Sequence, residues 1–110
     1  MKQHNYFTYI LTNYKKTVLY TGVTNDLDRR LCEHYFGIGQ ANGFTKKYQC
    51  FYLLWYERHQ YIEHAIEREK EIKGWTRIKK SNLIAAENPN WDFLNATIMD
   101  WPPDESLNLK

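Results

Sequence analysis

Glu69 is the carboxylate in this 110-residue chain that most requires an explanation. Ile62, Ala65, Ile66, Glu69, Ile72 and Lys73 recur at steps of three, one, three, three and one, which at about 100° per residue puts all six on one side of a helix. Glu63, Glu67, Lys70 and Glu71 fall off that centre, where a solvated face is expected. An ionised carboxylate among apolar side chains is costly without a cation or hydrogen-bond donors. A metal ion would supply the charge, and so would Lys73, one turn further on; the pattern leaves both open. Arg30 and His34 are four residues apart and share one face of an earlier helix. An Arg beside a His can hold an oxyanion and move a proton, although the same spacing describes an ordinary surface pair. Tyr20-Thr21-Gly22 places a glycine inside a strand pattern, where another backbone or a ligand approaches closely, so the Tyr20 hydroxyl could face a site. Tyr9 lies in the preceding strand-like run, and most of the nine tyrosines must be packing residues.

The elements that would position these groups follow from local pattern. Tyr6 to Thr12 and Val18 to Thr24 are β-branched and aromatic runs joined by a short polar connection, which predicts an antiparallel hairpin. Thr24 or Asn25 can cap a helix over Asp26 to Tyr35, with Leu27, Leu31 and Tyr35 on its buried face and a stop near Gly37. The stretch from Gly37 to Gly43 reads as a mobile loop, with Thr45-Lys46-Lys47 leading into a buried strand from Cys50 to Glu57. A helix is expected over Tyr61 to Lys73, ended by Gly74, and a less regular one over Trp75 to Ala86, with a break near Ser81 and a stop before Asn88-Pro89. The β-β-α-β-α-α order predicts an α+β domain: a small three-stranded antiparallel sheet flanked by helices, over residues 1–100. An acidic, flexible tail is expected over 101–110.

Composition bounds the class. With 43% hydrophobic and 16% aromatic residues there is enough apolar area for one core, which excludes wholesale disorder. The amino-terminal stretch lacks a basic segment followed by a long apolar run, and no run of about 18 apolar residues occurs, so a soluble, cytoplasmic protein without a membrane is expected. Cys32 and Cys50 lack metal-site spacing and are expected to be free, buried thiols. Residues 1–86 carry 14 basic and 8 acidic side chains, a charge of +6, whereas 87–110 carry one and five, a charge of −4, together the formal +2. A basic body suggests a polyanionic partner, because Lys and Arg near phosphates gain by counterion release. Many enzymes carry such a surface without any nucleic acid.

Taken in order, these segments resemble the GIY-YIG nuclease superfamily across about Tyr6 to Trp91. Phe7-Thr8-Tyr9 stands in the place of the first triplet and Tyr20-Thr21-Gly22 in that of the second. Asn25 to His34 is similar to the helix that carries the family's arginine, and Ala65-Ile66-Glu67-Arg68-Glu69 to the segment with its metal-binding glutamate. The stretch from Lys70 to Trp75, with Lys79-Lys80 and Asn88-Pro89-Asn90-Trp91, is similar to small stand-alone members, whose module resembles the amino-terminal catalytic domain of the nucleotide excision repair endonuclease. The first triplet lacks Gly and Ile and the second has Thr21 for Ile; His34 stands where some relatives have Tyr.

The resemblance implies a divalent-metal-dependent endonuclease hydrolysing DNA phosphodiester bonds, with a place in repair or recombination. It implies magnesium, or another divalent ion such as manganese, held by Glu69, water and a phosphate oxygen. Tyr20 would take the proton of the attacking water, Tyr9 would support that hydroxyl or the phosphate, and Arg30 would stabilise charge building up at phosphorus. His34 would protonate the leaving oxygen or orient Tyr20. Lys46, Lys47, Lys73, Arg77, Lys79 and Lys80 are candidates for backbone contacts to nucleic acid. Without a base-reading element, DNA recognition is expected to depend on structure, with little sequence preference or with a protein partner for targeting. The alternative is a nucleic-acid-binding or adaptor domain that kept the fold and lost turnover.

Overall fold

The computed structural model describes residues 4–39 and 43–104. Its order is β1 (Tyr6–Thr12), β2 (Leu19–Thr24), α1 (Leu27–Phe36), α2 (Gly43–Tyr48), β3 (Tyr52–His59), α3 (Ile62–Lys73), α4 (Arg77–Glu87) and α5 (Asn95–Ile98). The strands form one antiparallel sheet in the order β2-β1-β3, flanked by helices. The expected β-β-α-β-α-α order and α+β class are therefore present, with the two short helices α2 and α5 added.

β1 is the central strand, and its sequence suits that place. Thr8 to Thr12 are all buried, because both faces of the strand are covered. On one face Tyr9 and Leu11 pack with Leu27 and Leu31 of α1 and with Cys50 and Leu53. On the other, Ile10 packs with Leu54, Trp55, Ile72 of α3 and Ile84 of α4. An irregularity in the β1–β3 register falls between Ile10 and Leu11, where Leu54 is passed over, so Leu54 and Trp55 both join the second cluster. The Thr8 hydroxyl donates to the Ala65 carbonyl at 2.8 Å and pins α3 to the sheet.

The outer edge of β3 is satisfied by two buried asparagines from the carboxyl-terminal segment. Asn95 accepts from the Leu53 N–H at 2.7 Å and donates to the Phe51 carbonyl at 2.8 Å, while Asn88 donates to the Leu54 carbonyl at 3.0 Å. Two amide side chains thus do what a fourth strand would do for buried backbone groups.

Several boundaries differ from expectation. Asp26, not Thr24 or Asn25, caps α1 by accepting from the Arg29 N–H. Thr76 caps α4 through the Lys79 N–H, and α4 runs through Ser81 unbroken. The third strand starts at Tyr52, two residues late, because Gln49 in a left-handed conformation (φ 56°) ends α2 and Cys50 donates back to the Thr45 carbonyl. Thr45-Lys46-Lys47 is thus helical, not a lead into the strand. Residues 40–42 of the expected loop and 105–110 of the expected tail lie outside the described residues. Trp101 packs against Tyr35 and Phe51, and Pro103 is buried. Both cysteines are free thiols, Cys50 buried as expected and Cys32 only partly so. Among the described residues no helix is long and apolar enough to cross a membrane.

Gly22 sits opposite Tyr9 in the β1–β2 register, and a Cβ there would lie 2.5 Å from the Tyr9 hydroxyl and 2.6 Å from its Cζ. Such overlap is repulsive, and both atoms belong to a ring that is itself fully buried. Gly22→Ala should cost about 1–3 kcal/mol, the usual penalty for overpacking a core, measured as a lower urea midpoint at unchanged m-value. A midpoint equal to that of wild type would show that the ring moves aside freely.

Candidate active site

Tyr9 is the hub of the candidate site. Its hydroxyl is 3.2 Å from Nε2 of His34, whose Nδ1 is 3.1 Å from the hydroxyl of Thr45. β1, α1 and α2 are thereby tied together through one imidazole, and both of its ring nitrogens are used. Thr45 carries no signal in the sequence that would have assigned it to this chain of contacts; α2 has to form before it faces His34. The rings of Tyr9 and Tyr20 lie 6.4 Å apart, and that of Tyr20 is 5.8 Å from that of His34. The glycine of the second triplet is explained differently from expectation: the group that approaches Gly22 is the Tyr9 ring.

The remaining groups bear on the same hydroxyl electrostatically. Burial holds the Tyr9 phenol well above the ordinary tyrosine range; the neighbouring Tyr20 and, more weakly, Glu69 push it the same way, while Arg30 opposes them through its charge and a hydrogen bond. Tyr9 therefore stays protonated at neutral pH. Burial, assisted by the Arg30 charge, brings His34 down from 6.5 to about 4. Its imidazole is uncharged at neutral pH and accepts or donates a hydrogen bond without carrying a positive charge.

Arg30 is held on two sides. Its Nε donates to Glu33 at 3.1 Å and a terminal nitrogen donates to the Val23 carbonyl at 3.2 Å. Glu33, one turn along α1, was not singled out from the sequence; its three-residue spacing from Arg30 is the signal that could have found it. The Glu69 carboxylate, 20% exposed, meets the Lys73 ammonium at 3.0 Å, and Lys73 is 51% exposed with its nitrogen 5.9 Å from the centre of the Tyr20 ring. Both readings of Glu69 thus have a footing: it has its lysine, yet it stays partly exposed and bears electrostatically on the Tyr9 hydroxyl. Of the expected apolar stripe on α3 only Ala65 and Ile72 are buried, whereas Ile62 and Ile66 are exposed.

The basic candidates are dispersed. Lys73 lies at the site. Lys46 and Lys47 are exposed on α2, with Lys46 along Gly37 and Lys47 over the ring of Tyr48. Arg77 donates to the carbonyls of Lys16 and Thr17 at 3.1 and 3.0 Å and so clamps the β1–β2 turn. Lys79 lies 4.6 Å over the ring of Trp75, and Lys80 follows it on α4.

A family model described as the GIY-YIG catalytic domain matches residues 5–82. The chain belongs to the GIY-YIG family. A UPF0213 protein from Natronomonas pharaonis is 36% identical over 83 residues, covering 76% of this chain and 94% of that one. Another from Bacillus pumilus is 35% identical over 84 residues, covering 76% and 83%. The solution NMR structure of a UPF0213 protein from Bacillus halodurans has a TM-score of 0.51 at 28% identity, over 87% of this chain and 97% of its own. The fold and family are thus those of a nuclease catalytic domain.

Nucleases of this family generally use a divalent metal. Among the described residues no group of three His, Cys, Asp or Glu side chains converges on one point. The donor set that is present still fits magnesium, which keeps several waters and needs only one or two carboxylates besides substrate oxygens. Lys73 already holds a positive charge against Glu69, and as a half-exposed partner it can swing away at a cost of about 1 kcal/mol or less.

The His34 shift has a measurable sign. Because its folded value lies below its ordinary one, the unfolded chain binds more protons between about 4 and 6.5. The stability contributed by neutral His34 is complete above about 6.5 and is lost as pH falls toward 4. Urea midpoints of wild type should fall over this window, and those of His34→Gln should fall less; parallel profiles would contradict a buried neutral imidazole.

Proposed function

We propose that the protein is a divalent-metal-dependent endonuclease that hydrolyses phosphodiester bonds in DNA. The observation that carries this reading is that Tyr9 on β1, Tyr20 on β2 and His34 on α1 meet in one cluster, with the Lys73 partner of Glu69 lying over the Tyr20 ring, and that Arg30 and Glu69 bear electrostatically on the Tyr9 hydroxyl. A phosphodiester and its attacking water require such a set of groups, drawn from several elements.

Roles follow from the environment of each group. Tyr9, kept protonated, donates or relays a hydrogen bond and is not the base. Tyr20, less enclosed and beside the Lys73 ammonium, takes the proton of the attacking water. Arg30, aligned by Glu33 and the Val23 carbonyl, stabilises the charge that accumulates on the phosphoryl oxygens. His34, neutral at working pH, positions Tyr9 and is not the acid for the leaving oxygen. A divalent ion held by Glu69 supplies Lewis-acid stabilisation of the phosphate. Lys46, Lys47, Lys79 and Lys80 hold the DNA backbone without reading its sequence. A role in repair, magnesium as the native ion, a protein partner for targeting and a cytoplasmic location belong to the same proposal.

The test is nicking of supercoiled plasmid or branched DNA with magnesium and with EDTA. Glu69→Ala should lower the rate by roughly 100-fold or more, corresponding to several kcal/mol of lost charge stabilisation. Wild-type cleavage that persists unchanged in Glu69→Ala would remove Glu69 from the metal. Binding without cleavage by either protein would favour an adaptor that retains the fold.

A further inference from the structure

We propose that Phe44 and Tyr48 form a stacking platform for an unpaired base beside the scissile phosphate, so that the enzyme acts on single-stranded or locally unpaired DNA in preference to continuous duplex. The proposal rests on the nuclease reading above and names the substrate class for that site.

α2 has two unlike sides. Thr45 is buried and reaches His34, whereas Phe44 and Tyr48, four residues apart, are 44% and 39% exposed. A Phe left this open next to a fully formed core is unusual. Its ring lies 6.1 Å from that of Tyr20 at an interplanar angle of 29°, and 4.9 Å from that of Tyr48. The aromatic surface therefore begins at the proposed base and runs outward. Lys46 and Lys47 are exposed on the same short helix, with the Lys47 ammonium 5.2 Å from the centre of the Tyr48 ring, and α2 carries no acidic residue.

Aromatic faces among cations are what sequence-tolerant single-strand binders present, because every base has a π-face and every nucleotide a phosphate. In continuous duplex both faces of each base are taken by its neighbours. Only an unpaired base can use Phe44 while its phosphate sits at Tyr20 and Arg30. The lysines select a polyanion over an apolar protein surface, and stacking on an aromatic face is contact without sequence preference.

The experiment measures binding of a single-stranded oligodeoxynucleotide containing 2-aminopurine, and of the blunt duplex of the same sequence, in EDTA, by anisotropy and by 2-aminopurine quenching. Wild type, Phe44→Ala, Phe44→Leu and Phe44→Trp are compared, with circular dichroism confirming the fold of each. Wild type is expected to bind the single strand more tightly than the duplex and to quench the probe. Phe44→Ala and Phe44→Leu should lose roughly 5- to 100-fold in single-strand affinity, and Phe44→Trp should retain it. Full affinity in Phe44→Leu, equal affinity for both DNAs, or no binding at all overturns the platform. Magnesium-dependent, Glu69-dependent nicking of plasmid that survives alongside such a result leaves the nuclease reading standing. Aromatic-dependent binding with no cleavage of either DNA in magnesium upholds the platform and removes the nuclease.

Discussion

The contact between the Tyr9 hydroxyl and His34, made in the space that Gly22 leaves empty, is the constraint on which the rest of the site depends. A side chain at position 22 would displace the Tyr9 ring, and with it the point where β1, β2, α1 and α2 meet. His34 spends both nitrogens on Tyr9 and Thr45, so the first helix and the short second helix are set by the same imidazole. Burial then fixes the protonation of both groups: phenol and imidazole are each driven to the uncharged form. A neutral, rigid pair lies under the tyrosine and the arginine that would meet a substrate.

Charge at the site is balanced before any ligand arrives. Arg30 is matched by Glu33 and Glu69 by Lys73, at 3.1 and 3.0 Å. The two pairs differ in what it takes to break them. Arg30 and Glu33 are both mostly covered, with the Val23 carbonyl as a third anchor, so the guanidinium is held in orientation. Lys73 is half exposed on the last turn of α3 and tethers Glu69 only loosely. An anionic substrate with its cation can therefore re-partner Glu69 and Lys73 at small cost while Arg30 keeps its aim.

Much of this was legible in the sequence because it rests on period and on residue type. The hairpin, the helix carrying Arg30 and His34, and the helix carrying Glu69 follow from alternation and from apolar spacing, and the order of elements follows from them. What was not legible depends on contacts between distant segments. α2 is six residues long and too short for a periodic signal, so Thr45 falls in an expected lead into the strand and Phe44, just before it, carries no signal. Asn88 reads as part of a helix stop and Asn95 carries no signal, yet both close the edge of β3, because only the folded sheet exposes the carbonyls they bond. The spacing on α3 puts Ile62, Ala65, Ile66 and Ile72 on one side, but only the fold shows that Ala65 and Ile72 are buried while Ile62 and Ile66 remain exposed. The reason for Gly22 lay in its partner across the strand pair, which the hairpin register supplies and local composition does not.

The account's central claim is that these side chains work as one centre. The direct measurement is a double-mutant cycle on the magnesium-dependent, single-turnover nicking rate, using Tyr20→Phe, Arg30→Ala and the double variant. The account predicts strong non-additivity, with the double variant little slower than the slower single one and a coupling of about 1 kcal/mol or more. Rate losses that simply multiply would mean that Tyr20 and Arg30 act at separate places, and would contradict a shared centre around Tyr9.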